Sequence, residues 1–237
     1  MNIHWQRLKR SLGRRWKEWR LPRGYRRLGT RYGGWWLDTR LIGVAPLLID
    51  CGLGEDISFP CAFLQRFGGK VVGVEPNPRS LAYCTAHPQA GMAVLQRAFW
   101  HTPDETLSFH LPRAQHELPK GADGVSGSLI DTHDYVGGGD SVQVQTIDLL
   151  GVLRHAGRED CDVLKLDIEG AEYDVLQHLA DSGELRRVAQ LLIEFHHGVT
   201  HHALTATQAT VRRIEACGFR LMHVEGRNYI FRRINKA

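Results

Sequence analysis

VLKLDIEGAE, at residues 163–172, is the stretch of sequence that decides the fold. Residues 163–168 form a short, mostly apolar run without clean alternation, which is typical of a strand covered on both faces in a parallel sheet. Gly170 ends the run, and apolar residues then recur at helical spacing. Two acids, Asp167 and Glu169, therefore fall where a strand passes into a helix. Ligands of open α/β sheets bind outside such strand ends.

A second strand-to-helix unit is the sequence LLIDCGLGEDISF at residues 47–59. Its apolar strand enters a turn at Gly52 and Gly54, where the backbone can approach a ligand closely. The next strand ends in Glu75, an acid able to accept hydrogen bonds from both hydroxyls of a ribose. The third glycine of the dinucleotide fingerprint is missing, which favours a nucleoside without a pyrophosphate.

The remaining pattern predicts one α/β domain with helices between most strands. Between residues 102 and 141 the periodicity weakens, and a strand at 106–111 is expected among long glycine-rich loops. A closing hairpin at residues 219–234 distinguishes this layout from an ordinary dinucleotide-binding fold. The other predicted strands cover residues 93–98, 142–147 and 188–195, and the other predicted helices cover residues 80–86, 148–155, 171–180 and 205–217.

Charge is distributed unevenly along the 237 residues. Residues 1–40 hold 12 Lys and Arg against two acids, whereas the rest holds 18 against 24. Within the first twenty residues, tryptophans and leucines share one face of a predicted helix that is otherwise rich in arginine. Such a helix suits an anionic membrane surface, and packing on the body or on a second subunit is the alternative.

Cysteine usage and hydropathy indicate a cytoplasmic protein. The five cysteines are scattered and contain no C-x-x-C pair, which argues against a disulfide framework and against a structural zinc site. No apolar run approaches the roughly 20 residues needed to cross a bilayer, and no signal peptide follows the basic N-terminus.

Together these motifs resemble the FkbM family of S-adenosylmethionine-dependent methyltransferases, within it the branch that carries a Gly-x-Gly-Glu-Asp-Ile-Ser-Phe loop. The resemblance runs from about residue 32 to 232, so we expect a basic, Trp-rich helical segment at 1–31 and the methyltransferase domain at 32–237. It implies an α/β class I methyltransferase fold: a seven-stranded, mostly parallel, Rossmann-like sheet with an antiparallel last strand and helices on both faces. Methyl transfer typically to a hydroxyl oxygen is implied as well.

The resemblance also implies roles for the residues that bind S-adenosylmethionine. Asp50, Gly52 and Gly54 would line the methionine moiety, and Glu75 would hold the ribose. Ala98 and Phe99 would line the adenine. Glu75 departs from this branch, which often has an aspartate there, but either acid can hold a ribose.

Methylation of a hydroxyl needs help to remove its proton, by a base or by a metal. The candidates are Asp167, Glu169, Glu194 and His196, at the ends of two strands that are neighbours in the class I strand order. His196 or Asp167 is the expected base, and Glu169 and Glu194 are expected to orient the base or the substrate. Mg²⁺ or Mn²⁺ on Asp167, Glu194 and His196 is an alternative, although no tight ligand motif supports it.

Structural explanations compete for some of these residues. An internal ion pair from Lys165 to Asp167 or Glu194 would account for one acid without chemistry. Glu172 is expected to be a first-turn helix acid favoured by the helix dipole. The histidines His201 and His202 are expected to be solvated in a polar loop.

These features predict an S-adenosylmethionine-dependent O-methyltransferase acting on a sugar, a glycolipid or a secondary metabolite. An NAD-type dehydrogenase and a non-catalytic methyltransferase-like adaptor, docked through the basic N-terminal helix, are the alternatives. A specific nucleic-acid substrate is not expected, because the body is acidic and lacks the Asn/Asp-Pro-Pro-Tyr/Trp loop of amino-directed DNA methyltransferases.

Overall fold

A computed structural model describes residues 23–118 and 124–234. The helix predicted within the first twenty residues lies outside this described part. These described residues form twelve strands: β1 (Tyr25–Leu28), β2 (Trp35–Asp38), β3 (Leu47–Cys51), β4 (Lys70–Val74), β5 (Met92–Leu95), β6 (Ala98–Phe99), β7 (Thr106–Pro112), β8 (Val136–Ile147), β9 (Cys161–Leu166), β10 (Val188–Glu194), β11 (Phe219–Glu225) and β12 (Asn228–Arg233). The α-helices are α1 (Ser58–Phe67), α2 (Pro78–Ala86), α3 (Leu149–Ala156), α4 (Glu172–Asp181) and α5 (Leu204–Ala216).

The central sheet has seven strands in the order β11-β12-β10-β9-β3-β4-β5. Neighbours from β10 through β5 are parallel, whereas β12 runs antiparallel to both β10 and β11. The last strand is therefore inserted antiparallel beside β10, and the predicted class I methyltransferase topology is confirmed. The antiparallel closing hairpin is the feature that separates this fold from the dehydrogenase alternative.

Alternation along the central strands directs side chains into two separate hydrophobic cores. In β3, Leu47 and Ile49 pack in a core with α3, α4 and α5, whereas Leu48 packs on the opposite face with α1 and the β1–β2 hairpin. In β9, Leu164 and Val163 divide in the same way. Because both faces are covered, these strands need apolar residues at nearly every position, which explains the unbroken apolar runs in the sequence.

The region after β5 differs from the sequence prediction. The strand predicted at residues 93–98 ends at Leu95, and Ala98–Phe99 forms the separate short strand β6, which pairs in parallel with β8. β8 begins at Val136, so residues 137–139, predicted to be a loop, lie within a strand that pairs with β7. Pairing with a neighbouring strand overrides the weak intrinsic strand preference of glycine.

The N-terminal hairpin is part of the packed body. β1 pairs antiparallel with β2, and the buried Tyr25, Trp35 and Leu37 pack together on α1. The division of the chain at residue 31 stays a prediction, with β1 just before it and β2 just after it. Among the described residues, no helix is both long enough and apolar enough to cross a membrane.

Candidate active site

One cavity of about 760 Å³ opens at the carboxyl ends of β3, β4, β9 and β10. This is the position that open α/β sheets use for ligands, and the volume suits a cofactor together with part of a second molecule. One wall, the glycine-loop wall, consists of Gly52, Leu53, Gly54 and Glu75. A second wall, the acid–histidine wall, consists of Asp167, Glu169, Glu194 and His196.

The glycine-loop wall is held by the carboxylate of Glu75. Its Oε2 atom accepts hydrogen bonds from the backbone N–H groups of Leu53 (2.9 Å) and Gly54 (3.1 Å), and its Oε1 atom accepts one from Asn77 (2.8 Å). Burial raises the pKa of Glu75, and the three backbone donors oppose that shift. Glu75 thus organises the loop as well as facing the cavity.

The two glycines of the loop meet different constraints. Gly52 has φ of +82°, and a Cβ atom there would lie 1.7 Å from the backbone oxygen of Asp167. Gly54 has φ of +58°, but a Cβ atom there would have no neighbour within 4 Å. Gly52 is therefore required for the close packing of β3 on β9, whereas Gly54 leaves open space for a ligand.

Asp50 lies beneath the cavity and is absent from its lining. Its Oδ1 atom is 3.0 Å from Nζ of Lys165, and that ammonium group also donates a hydrogen bond to the carbonyl oxygen of Gly52 (2.6 Å). Asp50 therefore supports the glycine loop through Lys165. The predicted ion pair of Lys165 with Asp167 is present at 3.6 Å, a longer distance than that to Asp50.

Ala98 and Phe99 are buried residues on the cavity wall next to Glu75. Phe109 of β7 and Leu129 line the same region, which gives an apolar surface suited to a flat ring. The chemistry of the lining fits S-adenosylmethionine: Glu75 is an acid able to accept hydrogen bonds, open space adjoins Gly54, and the same cavity has an apolar surface.

On the acid–histidine wall, three of the predicted residues come together. Oε2 of Glu169 lies 3.1 Å from Nε2 of His196, and Oδ1 of Asp167 lies 3.7 Å from the same nitrogen. Ligand atoms of Asp167, Glu169 and His196 all lie within 4.8 Å of one another. The imidazole of His196 is 2% exposed, whereas the side chains of Asp167 and Glu169 are 28% and 19% exposed.

The fourth predicted residue, Glu194, lies on the same wall but is bound elsewhere. Its Oε1 atom accepts hydrogen bonds from Nη2 (3.0 Å) and Nε (3.3 Å) of Arg227, in the turn between β11 and β12. Asp167, Glu169 and His196 therefore form a three-residue cluster. The metal site considered from the sequence had Glu194 where this cluster has Glu169.

Two residues that contact Glu169, His133 and Ser128, were not among the predicted site residues. Nε2 of His133 lies 2.8 Å from Oε2 of Glu169, and its side chain is fully buried. Nearby, the hydroxyl of Ser128 donates to the carbonyl oxygen of Glu169 (2.6 Å), which holds Glu169 at a φ of +54°. His133 and Ser128 both lie in the region between β7 and β8, where no sequence motif marks them.

Glu172 begins α4, as predicted, but it is buried against His196. Its Oε1 atom accepts a hydrogen bond from the backbone N–H of His196 (2.8 Å) and lies 2.9 Å from the Nδ1 atom of that ring. Its Oε2 atom accepts from the backbone N–H of Gly170 (2.9 Å). Glu172 therefore fixes the orientation of the His196 ring.

The pKa values reflect how closely these charges are packed. Burial, reinforced by repulsion from Glu194, raises the pKa of Asp167 to about 7. Burial alone would raise the pKa of Glu169, but attraction to His196 and the hydrogen bond from His133 hold it well below its ordinary value. Burial alone would lower the pKa of His196, yet Glu169 and the neighbouring Glu172 raise it well above its ordinary value.

The histidines that follow β10 remain outside this cluster. His197 contacts Oγ1 of Thr207 at 3.0 Å, and the ring of His202 stacks on Tyr173. His202 is partly exposed and its other side packs on the aromatic ring of Tyr173, so the predicted solvation applies to only part of this side chain.

Three solved structures show distant likeness to this fold. Fibrillarin, a pre-rRNA processing protein of Methanococcus jannaschii, is 12% identical over 80% of this chain and 67% of its own, with a TM-score of 0.42. A TehB-like S-adenosylmethionine-dependent methyltransferase of Corynebacterium glutamicum is 12% identical over 82% and 83%, with a TM-score of 0.37. A putative S-adenosylmethionine-dependent methyltransferase of Listeria monocytogenes is 10% identical over 83% and 95%, with a TM-score of 0.41.

Family membership comes from the sequence itself. No curated protein matches the chain. The family described as Methyltransferase FkbM domain matches residues 50–221, which is well over half of the chain and includes both walls of the cavity. The chain belongs to the FkbM family of S-adenosylmethionine-dependent methyltransferases.

Proposed function

We propose that this protein is an O-methyltransferase that moves the methyl group of S-adenosylmethionine to a hydroxyl of a sugar, a glycolipid or a secondary metabolite. The observation that carries the proposal is the cavity itself, which is lined by both the glycine-loop wall and the acid–histidine wall. Methyl transfer is an in-line displacement, so the protein must mainly hold the acceptor oxygen against the methyl group.

The residues of the glycine-loop wall would hold the cofactor. Glu75 would accept from the ribose hydroxyls with the acceptor capacity that remains on its two oxygens, and Gly54 would leave room for the cofactor. Ala98 and Phe99 would line the adenine and Gly52 the methionine moiety, and Asp50 supports the loop through Lys165. Bound S-adenosylmethionine supplies an electrophilic methyl group on a positively charged sulfur.

The acid–histidine wall would orient the acceptor and take its proton. His196 is enclosed between Glu169 and Glu172, so of the two expected bases Asp167 is the one that an acceptor hydroxyl can reach. Glu169 fixes His196 on one side, and Glu194 offers a second acceptor for a sugar hydroxyl. A polar, acidic wall of this kind favours a substrate rich in hydroxyl groups.

The proposal is tested by binding and turnover on the full chain. Titration calorimetry should show one S-adenosylhomocysteine bound per chain, and tritiated methyl from S-adenosylmethionine should appear in at least one member of a panel of glycosides and hydroxylated metabolites. Failure of S-adenosylhomocysteine to bind would reject the proposal. Binding without turnover on any acceptor would instead favour the adaptor alternative.

We place this reaction in the cytoplasm, with residues 1–20 as a contact to an anionic membrane surface. The arginine-rich composition of that segment supports the second statement. Sedimentation with vesicles that contain phosphatidylserine, compared with neutral vesicles, tests it: equal binding to both would contradict an electrostatic contact.

A further inference from the structure

The cluster on the acid–histidine wall carries more negative charge than its neighbours balance. The ammonium group of Lys165 lies closest to Asp50 (3.0 Å), and Arg227 is bound to Glu194. Lys165 also lies 3.6 Å from Asp167, so that one ammonium group is shared by two carboxylates, and His133 lies 2.8 Å from Glu169. The carboxylates of Asp167, Glu169 and Glu172 are gathered around the ring of His196. A cation placed among them would offset charge that burial makes costly.

We propose that Asp167, Glu169 and His196 bind a divalent cation, with Mn²⁺ as the ion that best suits two carboxylates and one imidazole. Carboxylate ligands favour Mg²⁺ and Mn²⁺, and an imidazole nitrogen shifts the preference towards a transition metal. This set differs from the one expected from the sequence, because Glu169 replaces Glu194.

The distances between donor atoms suit octahedral coordination. Neighbouring ligands of an octahedral ion bound at about 2.1 Å lie about 3 Å apart. The donor atoms of Glu169 and His196 are 3.1 Å apart, and those of Asp167 and His196 are 3.7 Å apart. The third pair, Asp167 and Glu169, lies within 4.8 Å. The three side chains can therefore form one face of such a site, and the open cavity leaves the other positions for water and for an acceptor oxygen.

Glu172 provides independent support, because its carboxylate binds the ring nitrogen of His196 that would not bind the metal. Histidines that bind metals commonly donate their second ring N–H to a carboxylate, which fixes the tautomer and the ring orientation. Oε1 of Glu172 lies 2.9 Å from Nδ1 of His196 and is fully buried. An Nδ1–H donated to Glu172 leaves the lone pair of Nε2 directed at Glu169 and Asp167.

A cation here and the proposed base are chemically compatible. A carboxylate that ligates through one oxygen keeps a second oxygen able to accept a proton. This catalytic role rests on the proposed function, whereas binding of the cation does not. The competing arrangement is an imidazolium ring on His196 held between carboxylates, which would bind no metal.

The test measures Mn²⁺ binding to the full chain after treatment with EDTA, by electron paramagnetic resonance of free Mn²⁺. One ion per chain is expected, and Mg²⁺ should displace it only at higher concentration. Asp167→Asn and Glu169→Gln keep the shape of each side chain and should each weaken binding at least tenfold. Glu105→Gln, which removes an exposed carboxylate outside the cavity, should bind Mn²⁺ like the wild type.

A second measurement addresses the histidine. Spin-echo modulation of bound Mn²⁺ should show a coordinated imidazole nitrogen, and thermal melting should show that the two variants remain folded. No Mn²⁺ binding by the wild type, unchanged binding in either folded variant, or no nitrogen signal would overturn the assignment. Titration of S-adenosylhomocysteine into the same protein separates this result from failure of the proposed function.

Discussion

The two walls of the cavity are built in different ways. The glycine-loop wall consists largely of consecutive backbone, held by one acid at the end of the next strand. The acid–histidine wall consists of side chains from two separate segments, the ends of β9 and β10, and these are oriented by side chains from the start of α4 and from the region before β8. A wall made of backbone is fixed mainly by steric fit, whereas a wall made of charged side chains depends on each group neutralising or orienting another.

The largest expected effect comes from Gly52→Ala. A Cβ atom would collide with the backbone of Asp167 at a left-handed φ, so the free energy of unfolding should fall by about 4 kcal/mol. Gly54→Ala meets no neighbour and should cost only about 1 kcal/mol, although it should weaken cofactor binding. Urea unfolding measures both values, and equal losses would contradict the distinction between the two glycines.

Glu169→Gln should lower kcat by about 100-fold, since the neutral amide can neither neutralise a positive charge on His196 nor bind a cation. The affinity for S-adenosylhomocysteine should stay within about twofold, because the side chain of Glu169 contacts His133 and His196 and the substitution leaves the backbone contact between the two walls in place. The rate of methyl transfer to an acceptor found in the panel gives the first value, and calorimetry gives the second. A large loss of cofactor affinity would show that the carboxylate of Glu169 itself, and not only the backbone of Asp167, is coupled to the glycine loop.

Glu75→Gln should show the reverse pattern. The substitution replaces one carboxylate oxygen by an NH₂ group, which cannot accept the backbone N–H hydrogen bond that this oxygen accepts now. The glycine loop should therefore be held less firmly, and cofactor affinity should fall by about tenfold. At saturating S-adenosylmethionine, kcat should change little. Glu105→Gln serves as the matched control at an exposed position. An equal loss of affinity in this control would contradict the assignment of cofactor binding to Glu75.

The smallest effect is expected for His133→Gln. Gln can still donate a hydrogen bond towards Glu169, so kcat should fall by only about threefold to tenfold, with unchanged cofactor affinity. His116→Gln, at an exposed position, is the control. Restoration of most activity by Gln but not by Ala would assign His133 a positioning role, and equal activity of the two variants would contradict that role.

The sequence predicted most of the fold and the glycine-loop wall because their signals are local. Apolar runs, glycines and strand-end acids lie next to one another along the chain, and each has one physical interpretation. Glu75 was predicted in this way, although its role in holding the backbone of Leu53 and Gly54 became visible only in the structure.

The acid–histidine wall was predicted less completely because it depends on contacts distant in sequence. The sequence around Glu172 indicates an acid in the first turn of a helix, and it gives no sign of whether that acid is solvated or buried. Its partner His196 is 24 residues away along the chain. His133 lies in a region where glycines obscure the strand pattern, and its partner Glu169 is 36 residues away. No local pattern distinguishes such a histidine from an ordinary loop residue.

The packing of Gly52 has a consequence for how the two substrates influence each other. Gly52 lies so close to the carbonyl group of Asp167 that a Cβ atom would not fit between them. The backbone N–H of Asp167 in turn donates a hydrogen bond to the carbonyl oxygen of Cys51, the residue before Gly52. A displacement of either wall must therefore be transmitted to the other. We expect the acceptor and the cofactor to change each other's binding affinity by the same factor, as thermodynamic linkage requires.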